Sequence, residues 1–263
     1  MKKVTAFIGT QTKSHTYHAV QEFENNLKQY GEIDFEYLFL SDYHLEFCRG
    51  CIQCFDKGEE YCPLKDDRDI LLEKMEHSDG VIFATPNYAF QVSARMKNFL
   101  DRTAFIDHRP RFFGKTFTAI VTQGIARGGD ILKYLYFNGE NLGFHVSEGC
   151  CVTTREPMTG LQQKEFTQRI KKASARFYKA LMRPTQPPSF FRLMLFRLTR
   201  RLVESAGEKY RDYHYYKEKG WFEADYYYPT SLGVIKRLAG YLFDFIGRQI
   251  VKPSNPGVTD QWL

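Results

Sequence analysis

Four of the six cysteines lie within "CRGCIQCFDKGEEYC", at Cys48, Cys51, Cys54 and Cys62. The spacing C-x2-C-x2-C-x7-C gathers four soft donors on one short segment. Four thiolates so placed suit a [4Fe–4S] cluster. A zinc ion takes the same ligand type, although structural zinc sites usually draw on two separated C-x-x-C knuckles. Unligated thiols are the third reading. Disulfides are the least expected, because the chain reads as cytoplasmic and cytosolic thiols are kept reduced. Cys150 and Cys151 are neighbours on an expected strand, so they face opposite sides of it. They read as small core residues rather than as a pair.

Three further stretches carry donors and acceptors without forming an acid–base constellation. "GTQTKSHT", Gly9 to Thr16, is rich in hydroxyls and opens a helix. Free N–H groups at such a junction offer a seat for a phosphate. The stretch is neither G-x-G-x-x-G nor a Walker loop. "TPNYAFQ", from Thr85, supplies the amide of Asn87, the phenol of Tyr88 and the ring of Phe90, a lining suited to a flat ring of mixed polarity. "TQGIARGGD", from Thr122, has glycines that let a ligand approach the backbone. The seven histidines are scattered and form no triad.

The elements that must position these loops alternate. "KVTAFIG", "DFEYLFL", "GVIFATP", "FTAIVTQG" and "HVSEGCCVT" read as five strands separated by helical patterns. The last helix is "LQQKEFTQRIKKASARFYKALM". Asp66 and Asp67 are expected to cap the helix that follows the cysteines. Apolar strands alternating with helices predict an α/β fold with a parallel sheet covered on both faces. Ligands of such sheets sit beyond the carboxyl ends of the strands. The three polar loops follow strands one, three and four, where such a site belongs.

The prolines of "RPTQPPS" mark a boundary, giving a body of residues 1–182 and a mainly helical, aromatic-rich, basic extension of residues 183–263. Residues 184–263 carry 12 Lys and Arg against 8 Asp and Glu. "SFFRLMLFRLTRRLVE" places Phe191, Leu195, Leu198 and Leu202 on one helical face with Arg192, Arg197, Arg200 and Arg201 around it, and could serve as a membrane-surface helix, or the extension as an aromatic lid over the site. Packing against the body or a second subunit is the expected outcome, since amphipathic helices usually bury their apolar face in protein. A homo-oligomer, dimer or tetramer, is therefore expected. The net charge of +6 is modest and does not call for nucleic acid. No apolar run is long enough to cross a bilayer.

"GTQTKSHT", "SDGVIFATPNYAFQVSARMKNFLDR" and "CRGCIQCFDKGEEYCPLKDD" together resemble the NADPH-dependent FMN reductase family of flavodoxin-like proteins, in its iron–sulfur flavoprotein branch. The resemblance covers roughly residues 1–182. It implies a doubly wound five-stranded sheet of order 2-1-3-4-5 that binds FMN. By position it implies that Thr10, Thr12, Ser14, His15 and Thr16 surround the phosphate. Thr85, Pro86, Asn87, Tyr88 and Phe90 would then line the isoalloxazine ring, with Thr122, Gln123 and Gly124 at another edge. The loop departs from the family's pattern at Gln11, Thr12 and His15, and its nearest cation is Lys13. No catalytic side chain is implied, because the flavin carries the chemistry. The expected activity is oxidation of NAD(P)H with transfer to a small-molecule or protein acceptor. The alternatives are an electron carrier working with ferredoxin-like partners and a membrane-surface quinone reductase.

Overall fold

Strand β1 (Lys2–Ile8) is buried on both faces from Val4 onward, and β3 (Gly80–Pro86) is buried throughout. Such runs persist only at the centre of a sheet, where helices cover both sides. In this computed structural model, which describes residues 1–183 and 185–251, the sheet has six strands. Pro184 and residues 252–263 of the expected extension lie outside the described residues. The strand order is β2-β1-β3-β4-β5, with β6 also pairing with β4. The flavodoxin-like order implied by the resemblance is thus present.

All pairings are parallel. β1 runs beside β2 (Ile33–Phe39), and Val4 to Ile8 of β1 pair with Gly80 to Ala84 of β3. β3 runs beside β4 (Thr116–Gln123), with Pro86 opposite Thr122. Pro86 lacks a ladder donor and sits where the strand stops. The expected fifth strand is two short ones, β5 (His145–Val146) and β6 (Cys150–Thr153). Gly149 lies at the break. A Cβ there would fall 1.9 Å from the Ala119 carbonyl oxygen, so the chain crosses against β4 at a distance only glycine permits.

Pleating assigns the faces. Val4, Ala6 and Ile8 join Val20, Phe23 and Leu27 of α1 (His15–Lys28) and Ile170, Ala173 and Phe177 of α6 (Gly160–Leu181) in one core. On the other face Phe7 stacks on Phe99, with ring centroids 5.4 Å apart. Phe99 belongs to α4 (Ala94–Thr103). Before α4 come the one-turn α2 (Gln53–Asp56) and α3 (Arg68–Glu76); α5 (Gly128–Asn141) follows β4. The expected cap of α3 differs in detail. Asp67 is the N-cap residue but makes no side-chain cap bond. Its carboxylate accepts from the His44 N–H, and Asp66 accepts from the Arg68 N–H.

Over the described residues the chain divides into two compact units, 1–51 with 63–183, and 52–62 with 185–251. The second is helical: α7 (Phe190–Ala206), α8 (Arg211–Glu218), α9 (Val234–Ile250) and the short α2. Its centre is aromatic. Leu193, Phe196, Tyr216 and Trp221 are buried, and the Trp221 indole N–H donates to the Tyr227 carbonyl at 3.0 Å.

Candidate functional site

The three polar loops are joined by hydrogen bonds at the carboxyl end of the sheet. The Thr16 and Thr122 hydroxyls are 2.7 Å apart and buried, tying the first loop to the third. The Asn87 N–H donates to the Thr122 carbonyl at 2.7 Å, and its side-chain amide donates to the Ala126 carbonyl at 2.8 Å, tying the second to the third. Ser93 closes the ring. Its hydroxyl donates to the Gly9 carbonyl at 2.6 Å, its N–H donates to the Thr85 hydroxyl at 3.0 Å, and its oxygen caps α4 by accepting from the Met96 N–H. Sequence reasoning missed Ser93, because a serine before a helix signals only a cap. Gly9 is equally constrained: a Cβ would lie 2.6 Å from the Ser93 oxygen.

The first loop keeps its donors. The N–H groups of Thr10 to Tyr17 make no hydrogen bond to a carbonyl or side chain among the described residues. Ser14 is the N-cap of α1, yet its hydroxyl makes no cap bond to the helix and receives instead from the Thr12 hydroxyl at 3.2 Å. The Thr10 hydroxyl donates to the Thr12 carbonyl at 3.0 Å. A helix start with uncommitted N–H groups is an anion seat. Lys13 stands beside it, its ammonium 5.8 Å from the centre of the Tyr17 ring. His15 lies 3.9 Å from the Glu156 carboxylate.

Thr85 and Pro86 are buried at the end of β3. The Thr85 hydroxyl is spent within its loop, donating to the Pro86 carbonyl as well as receiving from Ser93. Tyr88 and Phe90 are 62% and 64% exposed, so the loop presents two aromatic side chains to solvent. They belong to a tight turn in which Tyr88 and Gln91 exchange N–H to carbonyl bonds at 3.0 Å. Ala89 and Phe90 have φ of 50° and 64° in that turn. Two such non-glycine residues together cost energy, and strain of this kind clusters at ligand-binding loops. Gln123 accepts from the Gly128 N–H at 2.7 Å, which fixes the start of α5, while Gly124 has open space around its Cα. The predicted flavin residues are thus in one rim. Several of them, Thr16, Thr85 and Asn87 above all, use their side chains to hold that rim together.

A cleft of about 650 Å³ opens beside the third loop, lined by Gln123, Arg127, Gly128, Cys151, Arg169 and Lys172 among others. Of the predicted flavin residues it takes in only Gln123. Cys150 is buried, as expected, whereas Cys151 is half-buried and faces this cleft. Burial pushes the Cys151 thiol up to about 11, which disfavours its thiolate.

The cysteine segment is held from α4. The Asn98 side chain accepts from the Cys48 N–H at 3.2 Å and donates to the Leu45 and Glu46 carbonyls. Arg102 pairs with the buried Asp66 carboxylate and donates to the Glu46 carbonyl at 2.9 Å. Burial alone would raise the Asp66 carboxyl. Hydrogen bonds from Arg102 and from the N–H groups of Glu46 and Arg68 outweigh it and hold it below the ordinary carboxylate range. Cys48 and Cys51 belong to the first compact unit, Cys54 and Cys62 to the second, and none of the four is in a disulfide. The thiolate set has the right chemistry for a cluster. Among the described residues no group of three or more His, Cys, Asp or Glu is placed to hold a metal ion.

An iron–sulfur flavoprotein of Archaeoglobus fulgidus is 36% identical over 118 residues, 44% of this chain and 50% of that protein. One from Clostridioides difficile is 26% identical over 162 residues, 60% of this chain and 68% of that protein. The chain spans about half the length of the first of these relatives. Among solved structures, RosB with a bound 8-demethyl-8-formylriboflavin-5'-phosphate intermediate has a TM-score of 0.55 at 14% identity, covering 89% of this chain and 92% of that one. An azoreductase of Bacillus anthracis has a TM-score of 0.54 at 12% identity, covering 68% and 100%. At such identities the likeness is one of fold. Residues 2–153, more than half of the chain and all three loops of the rim, match the family described as NADPH-dependent FMN reductase, and to that family this chain belongs.

Proposed function

We propose that the rim binds FMN and that the chain is a flavin oxidoreductase taking electrons from NAD(P)H and delivering them to a separate acceptor. The observation that carries this reading is the joining of the three loops by Thr16, Asn87 and Ser93 around a helix start whose N–H groups are uncommitted. Those N–H groups, with the Thr12 and Ser14 hydroxyls and Lys13, would hold the phosphate. Tyr88 and Phe90 would lie along the ring, and Gly124 would admit its edge to the backbone of the third loop. FMN, when bound, supplies a carrier that accepts a hydride and gives up electrons singly or in pairs. The residues of the rim bind and orient; no side chain is assigned to proton transfer. Membership of the family supports the flavin and the nicotinamide donor. The names of the curated relatives bring an iron–sulfur group into question. Cys48, Cys51, Cys54 and Cys62 would be its ligands, and no step is routed through it.

The test is anaerobic reduction of the FMN-loaded protein by NADPH and by NADH, followed by flavin absorbance. Bleaching by at least one nicotinamide, far faster than that of free FMN, is expected. Bound flavin that no nicotinamide reduces, yet reduced ferredoxin does, would overturn the enzymatic reading in favour of an electron carrier.

A further inference from the structure

Helix α9 is amphipathic, yet its apolar face is exposed. Of its seventeen residues only Gly240, Asp244 and Gly247 are buried. They face α7, where Gly240 lies under Arg197 and Gly247 under Arg201. Asp244 receives Arg197 at 2.8 Å, Arg200 at 2.9 Å and Arg201 at 3.1 Å. The contact face is therefore ionic. The opposite face carries Ile235, Leu238, Tyr241, Leu242, Phe245, Ile246 and Ile250, all between 38% and 74% exposed. Their three- and four-residue spacing makes one continuous stripe. It extends about 25 Å along the helix, and monomeric proteins seldom leave so large an apolar patch uncovered.

The charge around the stripe says what covers it. Asp244 is the only acidic residue of α9, and it is buried under three arginines. Lys236 donates to the Pro188 carbonyl. Arg237 and Arg248 are exposed and carry no ion pair among the described residues. On α9 itself the exposed surface is thus an apolar stripe with two cations and no carboxylate. A second copy of the chain would set like against like, since an isologous contact pairs a patch with itself and α9 offers those arginines no partner. An anionic bilayer offers both an apolar interior and a negative rim. No helix of the described residues is long and apolar enough to cross a membrane.

We propose that α9 docks this protein on an anionic lipid surface, with its apolar stripe in the interface and Arg237 and Arg248 against the headgroups. The helix lies on the membrane and does not span it. The proposal does not depend on the flavin reading, and its test reads binding rather than turnover.

The full chain is co-sedimented with vesicles of phosphatidylcholine alone and with vesicles containing added phosphatidylglycerol. Binding to the anionic vesicles is expected to exceed that to the neutral ones by at least about tenfold, and added salt should weaken it. L238E combined with F245E should lower anionic-vesicle binding by at least about tenfold, with the helical circular dichroism and the urea midpoint retained. R237Q combined with R248Q should lose the preference for anionic lipid and keep weak neutral binding. Wild-type protein that stays in the supernatant with both vesicles overturns the proposal, whether or not the variants fold. So does a vesicle-free dimer that L238E with F245E dissociates, which would assign the stripe to a second copy.

Discussion

The two compact units differ in how a principal pair of elements meets. In the first, Val4, Ala6, Ile8 and their helical partners form an apolar interior, and polar loops gather at one end of the sheet. In the second, α7 and α9 meet through three arginines and one carboxylate, and the apolar stripe of α9 is left outside. The difference teaches where function is to be sought. An apolar interior frees hydroxyls and N–H groups to face a ligand. An ionic contact between two helices leaves the leucines and phenylalanine of one of them facing outward.

Breaking the ionic contact should have the largest effect. D244A leaves Arg197, Arg200 and Arg201 without their shared carboxylate, and removing one partner of a buried ion pair costs about 3–5 kcal/mol. Urea unfolding followed by circular dichroism should show an earlier transition, while FMN binding at the rim persists. Acid should act on the same contact. Burial would raise the Asp244 carboxyl, but Arg200, Arg197 and Arg201 outweigh it and hold it below the usual range. A depressed folded pKa contributes stability that is complete above the unfolded value and is lost as pH falls through the folded one. Stability at this contact should therefore hold down to about pH 4 and fall below it, in D244A as well as wild type only if other carboxylates dominate.

The apolar unit should answer to smaller changes. G9A forces a Cβ against the Ser93 oxygen, and overpacking of this kind costs about 1–3 kcal/mol. Because Ser93 also holds the second loop, FMN affinity should fall by about tenfold or more in a fluorescence titration. T16V removes the hydroxyl bond to Thr122 and leaves that oxygen buried without its partner, at about 1–3 kcal/mol. Its flavin affinity should fall less than that of G9A. The smallest effect is expected of C51S. Cys51 is exposed, so FMN content and bleaching by NAD(P)H should stay at wild-type levels. A loss of flavin in C51S would show that the cysteine segment supports the rim.

Much of the first unit was legible in the sequence because its physics is local. Unbroken runs such as "GVIFATP" can only be central strands, and Ser-, Thr- and Gly-rich stretches after them can only be loops at one end. The break at Gly149 was not legible, since "HVSEGCCVT" keeps the composition of a strand and the crossing against Ala119 is a tertiary event. Nor was the use of Thr16 and Thr85 as fasteners, because a hydroxyl does not announce whether it faces a ligand or a neighbouring loop. The amphipathic pattern was read on the stretch that forms α7, and the face that α9 would bury was not legible. Asp244 reads as a solvated charge until the arginines of α7, more than 40 residues away in sequence, are placed around it.

The central claim is that uncommitted N–H groups at the start of α1 make the first loop a phosphate seat for FMN. Calorimetric titration of the flavin-free protein with FMN and with riboflavin tests it most directly, since the two ligands share the ring and differ in the phosphate. The account predicts one FMN per chain, with riboflavin weaker by at least about tenfold. Equal affinity for the two, or no binding of either, would contradict it.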